Sequence, residues 1–253
     1  MQIGHKIRFF RKRAKFSQQQ LELAINASFG SISRIENNET NPTKETLDKI
    51  IDLLNLDYLA SSYLFGQKVT NISQIDIDNA IAKLNIEVDS FNGPAYIIDF
   101  KRNIYYWNRF TEIIFGLNID RNSENYPNLY SIYFDPRFSI KNNFSESEYF
   151  KLGKELLCLF EYELGYMSNE EINEIQKSLE QFEAYRKCKT EFENIKYDMK
   201  VDSYQMEVLT KMGKLKLETS NNKFNEDPRF FIVKYYSLDT KSIELIKKLS
   251  GSD

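Results

Sequence analysis

Apolar residues at the start of the chain recur with the spacing of a helix. Ile3, Ile7, Phe10 and Ala14 stand at i, i+4, i+7 and i+11, so they share one face of a helix over residues 2–14. Most of the positions between them are polar or charged. The pattern predicts a helix with one buried face and one solvated face.

Two short helices joined by a tight turn are predicted from Ser17 to Glu36. Ser17 and Gln20 have the spacing of a capping box. Asn26 is expected to take the left-handed conformation in the turn, and Ser28 to cap the second helix. The inward side chains are Leu21, Ala24, Ile25, Ile32 and Ile35, and the outward face of the second helix carries Phe29, Gly30, Ser31 and Arg34. A helix presented in this way fits the major groove of DNA.

Helical spacing continues beyond this pair. Thr43 is expected to cap a fourth helix, and a short fifth helix is predicted from Asp57 to about Leu64, with Gly66 at its end. Residues 67–74 predict a linker. A helix from about residue 75 to 91 follows, with an apolar face of Ile77, Ala80, Ile81, Leu84 and Val88. Asn92-Gly93-Pro94 ends it.

The remaining chain alternates between strand and helix patterns. Strands are predicted at 95–100, 104–107, 204–210, 213–219 and 229–236, and helical segments at 111–116, within 145–198 and at 242–249. Together they predict an antiparallel α+β unit. Two inward-facing sets remain open for the first strand pair: Tyr96, Ile98 and Phe100 with Tyr105 and Trp107, or Ile97 and Asp99 with Ile104 and Tyr106.

Length and composition fit two globular domains. The chain has 253 residues, of which 42% are apolar. We divide it into a helical domain over residues 1–66, a linker with a connecting helix over 67–91, and an α+β domain over 92–253.

Charge is distributed unequally between these parts. Residues 1–66 hold nine Lys and Arg against seven Asp and Glu, while the rest of the chain holds 25 against 30. Such asymmetry suits a DNA-binding domain attached to an acidic one.

The N-terminal pattern resembles a known family. Ser17-Gln-x-x-Leu21, Ile32-Ser-Arg-Ile-Glu36 and Asn41-Pro42 are similar to the Cro/CI-type (XRE family) helix-turn-helix regulators of bacteria and phages, over about residues 3–56. The resemblance implies an all-α head of five helices that binds double-stranded DNA. The candidate contact residues are Gln18, Ser28, Phe29, Gly30, Ser31, Arg34, Arg11, Asn38, Asn41 and Lys44. Glu22 departs from the family, which usually has a small residue there.

The C-terminal part resembles the opening of a PAS domain. The residues that carry this are Pro94 to Asp99, Asn103 to Asn108 and Ile113 to Gly116, and the run from Asn128 to Arg137 narrows the similarity to the MmyB-like ligand-binding domain. The resemblance implies a pocket for a small, lipid-like ligand. The candidate lining residues are Tyr96, Tyr106, Trp107, Phe110, Phe115, Tyr133 and Phe134.

The sequence argues against an enzyme. His5 is the only histidine and lies in the N-terminal domain, which leaves no Ser-His-Asp or Cys-His arrangement for the second domain. Phosphate-binding glycine motifs are missing, and Cys158 and Cys188 have no metal or redox spacing. We expect no cofactor, no metal, no membrane segment and a cytoplasmic location.

These observations predict a one-component transcription regulator that works as a homodimer, since one recognition helix covers too few base pairs for specificity. The alternative is a DNA-tethered interaction or dimerisation module without a ligand. A cavity of a few hundred Å³ would favour the sensor. A solid core with an exposed apolar patch would favour the module.

Overall fold

A computed structural model describes residues 3–56, 58–65, 72–116, 126–163, 167, 169–193 and 204–251. The chain divides into two compact units, Met1–Asn71 and Ile72–Asp253, which we call the head and the body. The linker predicted at 67–74 lies mostly outside the described residues, as does Gly66.

Short helices build the described part of the head. They are α1 (Ile3–Arg13), α2 (Gln18–Ala24), α3 (Ser31–Glu36), α4 (Lys44–Leu53) and α5 (Tyr58–Leu64). Their shared core contains Ile7, Phe10, Leu21, Ile25, Ile32, Ile35, Leu47, Ile50, Ala60 and Leu64. Ala14 and Ala24 were predicted to face inward but are exposed, because they lie beyond or at a helix end.

The helix ends of the head follow local rules. The capping box at Ser17 and Gln20 is confirmed, with Ser17 Oγ accepting from the Gln20 amide at 3.1 Å and Gln20 Oε1 from the Ser17 amide at 2.7 Å. Asn26 has the predicted left-handed conformation, with φ of 54°. Asn38 takes the same conformation after α3, with φ of 59°. Asn tolerates this region because its short side chain forms local hydrogen bonds.

Gly4 allows α1 to approach α3 closely. A Cβ atom at Gly4 would lie 2.0 Å from the carbonyl oxygen of Ile35, so no other residue fits without moving a helix. The Gly4 amide donates to Asn38 Oδ1 at 3.0 Å. This contact holds the two helices in a fixed relation.

The body combines an antiparallel sheet with helices. In chain order its elements are α6 (Gln74–Asp89), β1 (Ala95–Asp99), β2 (Ile104–Trp107), α7 (Arg109–Phe115), α8 (Leu129–Phe134), two 3₁₀ turns (Pro136–Phe138 and Ile140–Asn143), α9 (Glu146–Glu163), α10 (Asn169–Glu180), α11 (Glu183–Glu193), β3 (Gln205–Thr210), β4 (Gly213–Lys223), β5 (Phe230–Ser237) and α12 (Thr240–Ser250). The strand order is β2-β1-β5-β4-β3. The expected layout, a helical domain followed by an α+β domain with an antiparallel sheet, is confirmed.

A register shift in the first strand pair explains why alternation left two sets open. Tyr96 pairs with Trp107 and Ile98 with Ile104, and a bulge lies between Ile97 and Ile98. Neither predicted set is therefore correct as a whole, since Ile104 joins the face of Tyr96. A bulge adds one residue to a strand and so exchanges the two faces beyond it.

Helix α6 packs on the sheet and belongs to the body. Its buried stripe, Ile77, Ala80, Leu84 and Val88, forms one cluster with Ala95, Ile97, Phe230 and Ile232. Ser73 and Asp76 form a capping box at its start. Arg229 reaches Asp76 at 3.1 Å and so ties the β4–β5 connection to this helix end. The connecting helix predicted from sequence is thus also a structural part of the body.

Candidate nucleic-acid interface and interior cavity

The start of α3 is held by a buried carboxylate. Glu22 is buried, and its Oε1 accepts a hydrogen bond from the Ile32 amide at 2.9 Å. The N-cap residue of α3 is Gly30, with φ of 75° and no side-chain hydrogen bond. The predicted cap at Ser28 is therefore wrong. The Glu22 side chain accepts the hydrogen bond of the Ile32 amide instead, and acidic side chains are favourable at a helix N-terminus.

The end of α3 is held by a second buried carboxylate. Glu36 is fully buried and accepts from Arg11 Nε at 2.5 Å, from Arg11 Nη2 at 2.9 Å and from Gln18 Nε2 at 2.8 Å. Arg8 Nε adds a contact at 3.2 Å. Burial alone would raise the pKa of Glu36, but these donors and the charge of Arg11 together lower it. The carboxylate stays ionised and joins α1, α2 and α3.

Four residues predicted to contact DNA are buried or hydrogen-bonded within the head instead. Arg11 is only 7% exposed, and its Nη1 also donates to the Phe16 carbonyl at 2.6 Å, so its guanidinium serves the fold. The Oγ of Ser31 is buried, which removes this hydroxyl from the surface. Gln18 Nε2 donates a hydrogen bond to Glu36 within the head. Asn38 Oδ1 accepts one from the Gly4 amide. Sequence pattern could not separate these roles, because each depends on a partner distant in the chain.

Other candidates lie on the surface of the head. Ser28, Phe29, Arg34, Asn41 and Lys44 are exposed, and Gly30 is half-exposed. Lys44 is the first residue of α4, whose cap Thr43 accepts from the Thr46 amide at 3.1 Å. The last turn of α1 adds exposed Lys12 and Arg13. Helix N-termini and basic side chains of this kind contact phosphates.

A known family covers this unit. Residues 7–59 match the helix-turn-helix family model. The match runs from α1 into α5 and includes α2, its turn and α3. The head is therefore a helix-turn-helix DNA-binding domain of the Cro/CI type, and the protein is a sequence-specific DNA-binding regulator. No curated protein matches the chain.

The body contains an interior cavity on the side of the sheet that carries Tyr96 and Tyr235. Its walls are Tyr96, Ile104, Phe115, Leu129, Ile132, Tyr133, Ile140, Phe144, Leu152, Leu156, Tyr204, Met206 and Tyr235. The centre of a water molecule can move through about 60 Å³ of it. That is enough for about four water-sized groups but well below a typical small-molecule site of about 300 Å³ or more. The cavity is therefore smaller than the one expected of a sensor, yet the core is not solid, as expected of an interaction module.

Three of the tyrosines that line the cavity hydrogen-bond one another through their hydroxyls. The hydroxyl oxygens of Tyr96 and Tyr235 are 2.9 Å apart, and Tyr235 also hydrogen-bonds Tyr204. Burial raises the pKa of all three, so they remain neutral. Because these hydroxyls bond one another, the surface that lines the cavity is almost entirely apolar.

The predicted lining residues divide into two groups. Tyr96, Phe115 and Tyr133 line the cavity. Tyr106, Trp107, Phe110 and Phe134 do not, which corrects the expectation for these four residues.

Each of three residues in the second group has an identifiable place elsewhere. The Tyr106 hydroxyl donates to Asp89 at 2.7 Å, at the end of α6. Trp107 Nε1 donates to Glu112 at 3.0 Å. Phe134 packs edge-on against Tyr185, with ring centroids 5.4 Å apart. Phe110 is half-buried on α7.

Sequence reasoning missed most of the cavity wall. Leu152 and Leu156 come from α9, Met206 from β3 and Tyr235 from β5. Period-two alternation could have marked Met206 and Tyr235 as inward-facing, but it could not show which interior space they share. The sheet order brings these distant segments together.

The described residues were compared with the requirements of a metal site and of a membrane-spanning helix. They contain no group of three or more His, Cys, Asp or Glu residues arranged to hold a metal ion. None of their helices is long and apolar enough to cross a membrane.

Proposed function

We propose that this regulator binds its operator as a homodimer and that its body is a PAS-like sensor of a small apolar ligand. The helix-turn-helix match to residues 7–59 carries the DNA-binding part of the proposal. The tyrosine-walled cavity supports the sensor part.

The PAS-like assignment is supported by the layout of the body. The paired strands β1 and β2 open the sheet, and α7 and α8 follow before the chain returns to β3. The cavity wall includes residues of both the sheet and this intervening helical segment, such as Tyr96, Tyr133 and Leu156. A small-molecule site in that position would lie between two layers of one domain.

The ligand class follows from the shape and chemistry of the cavity. Its small volume suits a narrow molecule, and its almost entirely apolar wall suits a hydrocarbon chain. A short or medium acyl chain has these properties. A longer chain would have to displace side chains that now fill the interior.

Occupancy can be tested by mass spectrometry of extracts from the denatured protein and by thermal shift with a series of fatty acids. We expect the purified full chain to carry or bind an acyl compound. Leu156→Phe should reduce binding because the larger ring occupies the cavity. Leu159→Phe is the matched control, since Leu159 is buried in the same helix but does not line the cavity. Equal binding by both variants and the parent chain would contradict this location.

A second apolar stripe on α6 supports the homodimer. Ile75 and Ile86 lie on its outer side, 71% and 76% exposed, although the helix already buries its other face on the sheet. They are eleven residues apart and so point in the same direction. A two-fold axis can place Ile75 beside Ile86 of a second copy and Ile86 beside Ile75 of that copy, so the stripe can bury itself in one symmetric contact.

This contact predicts the effect of a charge placed within it. Ile86→Lys should weaken dimerisation in analytical ultracentrifugation, because it would bury an unpaired ammonium group against Ile75 of the second copy. A protein that remains monomeric at micromolar concentration, free and on DNA, would overturn the homodimer. Unchanged dimers in Ile86→Lys would place the interface elsewhere.

Helix α6 is also the proposed route of coupling, since it directly follows the segment that joins the two units in sequence. A ligand that favours one arrangement of α6 would change operator affinity, typically by about 1–3 kcal/mol. Operator titrations with and without saturating fatty acid measure this. An unchanged affinity while ligand is bound would favour the second candidate, a DNA-tethered interaction module, which the small cavity also suits.

A further inference from the structure

Phe29 has an unusual position for an aromatic side chain. It is 83% exposed, more than any other large apolar residue among the exposed ones in the described part of the chain. It stands immediately before Gly30, the N-cap of α3. Exposing a phenylalanine to water brings no stability to the fold, and at this position the ring is accessible to DNA bound by the head.

The three residues after Phe29 offer little hydrogen bonding to a DNA base. Gly30 has no side chain, and the Ser31 hydroxyl is buried. The Ile32 amide already donates to Glu22. The first residues of a recognition helix are the ones that meet base edges in the major groove. At this end of α3 the largest available group is therefore an apolar ring.

The major groove presents one apolar group that a ring can recognise. Thymine carries a C5-methyl there, whereas the other base edges present hydrogen-bond donors and acceptors. We propose that Phe29 selects a thymine in each half-site by packing its ring on this methyl group. Arg34, exposed one turn into α3, would supply the polar contact beside it. This inference rests on the DNA-binding function of the head.

The experiment removes only the methyl group. A preferred duplex is selected from a random library with the full chain, and each thymine is then replaced by uracil, which leaves base pairing unchanged. Burial of one methyl-sized group is worth about 0.8 kcal/mol, or about fourfold in affinity. We expect about fourfold weaker binding at one thymine per half-site, and no effect of uracil at that position for Phe29→Ala.

Leu23→Ala is the matched control. Leu23 is almost as exposed, at 79%, but it lies on α2. Leu23→Ala should still bind the uracil duplex about fourfold more weakly than the thymine duplex. Phe29→Leu should show a smaller difference in the same direction. An unchanged uracil effect in Phe29→Ala would overturn the inference, as would a duplex without any methyl-sensitive thymine. Specific binding without methyl sensitivity would leave the head's function standing, whereas loss of all DNA binding would remove both.

Discussion

At the scale of single residues, buried charge organises the head. Glu36 joins three helices through Arg11, Gln18 and Arg8, although it lies in the most buried part of the unit. Taking a carboxylate out of water is costly and is offset only when its oxygens are fully hydrogen-bonded. Here each oxygen has an arginine donor.

This clamp predicts a pH-dependent stability. Because the pKa of Glu36 is lowered on folding, its contribution is complete above the unfolded value of about 4.5 and is lost as pH falls through the lower folded value. Glu36→Gln should destabilise the head by about 3 kcal/mol at pH 7 and flatten its stability profile in acid. Thermal unfolding of the full chain between pH 3 and 7 would measure it, with exposed Glu39→Gln as control. A profile that Glu36→Gln leaves unchanged would contradict the role.

Arg34 and Lys44 are expected to differ in what they contact. Arg34→Ala should cost about 1–3 kcal/mol on the cognate operator and little on random DNA if it contacts a guanine. Lys44→Ala should weaken both and reduce the slope of affinity against salt by about one. Titrations at several salt concentrations distinguish the two cases. Equal losses for Arg34→Ala on both DNAs would make it a phosphate contact.

Local residue chemistry was predictable, and contacts across the chain were not. The capping box at Ser17 and the left-handed Asn26 depend on neighbours in sequence, so the pattern found them. Arg11 was assigned to DNA because a basic first helix gives no sign of Glu36, twenty-five residues away. The cap from Glu22 was missed for the same reason.

At the scale of elements, one asparagine connects three of them. Asn108 is buried, and its Nδ2 donates to the carbonyls of Val88, Phe91 and Gly93 at 3.0, 3.3 and 2.8 Å. Its Oδ1 accepts from the amides of Ala95 and Thr111. The end of α6, the start of β1 and the start of α7 therefore meet at this side chain.

Asn108→Asp should test this junction. The carboxylate keeps the shape but cannot donate to the three carbonyls, and it places a buried charge beside them. We expect a loss of about 3 kcal/mol or more in the stability of the body. Denaturant unfolding measures it, with Asn92→Asp as the control, because Asn92 is exposed near the same helix end. Equal stability of both variants would show that the hydrogen bonds are replaceable.

The elements themselves were largely predictable, but their faces were not. Strand and helix periods placed β1, β2, β5 and α6 close to their observed bounds. The bulge between Ile97 and Ile98 has no sequence signal, yet it decides which aromatic residues face the cavity. Three of the seven candidate residues, Tyr96, Phe115 and Tyr133, lie in the cavity wall, and whether they bind a ligand stays a prediction.

At the scale of the whole molecule, two compact units separate two kinds of chemistry. The DNA-binding head takes most of the basic N-terminal residues, and the body carries the cavity and the acidic excess. The order of these units could be predicted because the helix-turn-helix pattern is continuous in sequence. The cavity could not, since its wall combines segments from residue 96 to residue 235.

The buried indole of Trp107 has a spectroscopic consequence. It is the chain's only tryptophan, and it lies in the body with its Nε1 bonded to Glu112. Its emission therefore follows unfolding of the body alone, while far-ultraviolet circular dichroism follows the helices of both units. During denaturant unfolding, Glu36→Gln should shift the dichroism signal and leave the emission midpoint in place. Asn108→Asp should move the emission midpoint. If each variant shifts both signals equally, the two units melt as one, and the chain has a single optical transition.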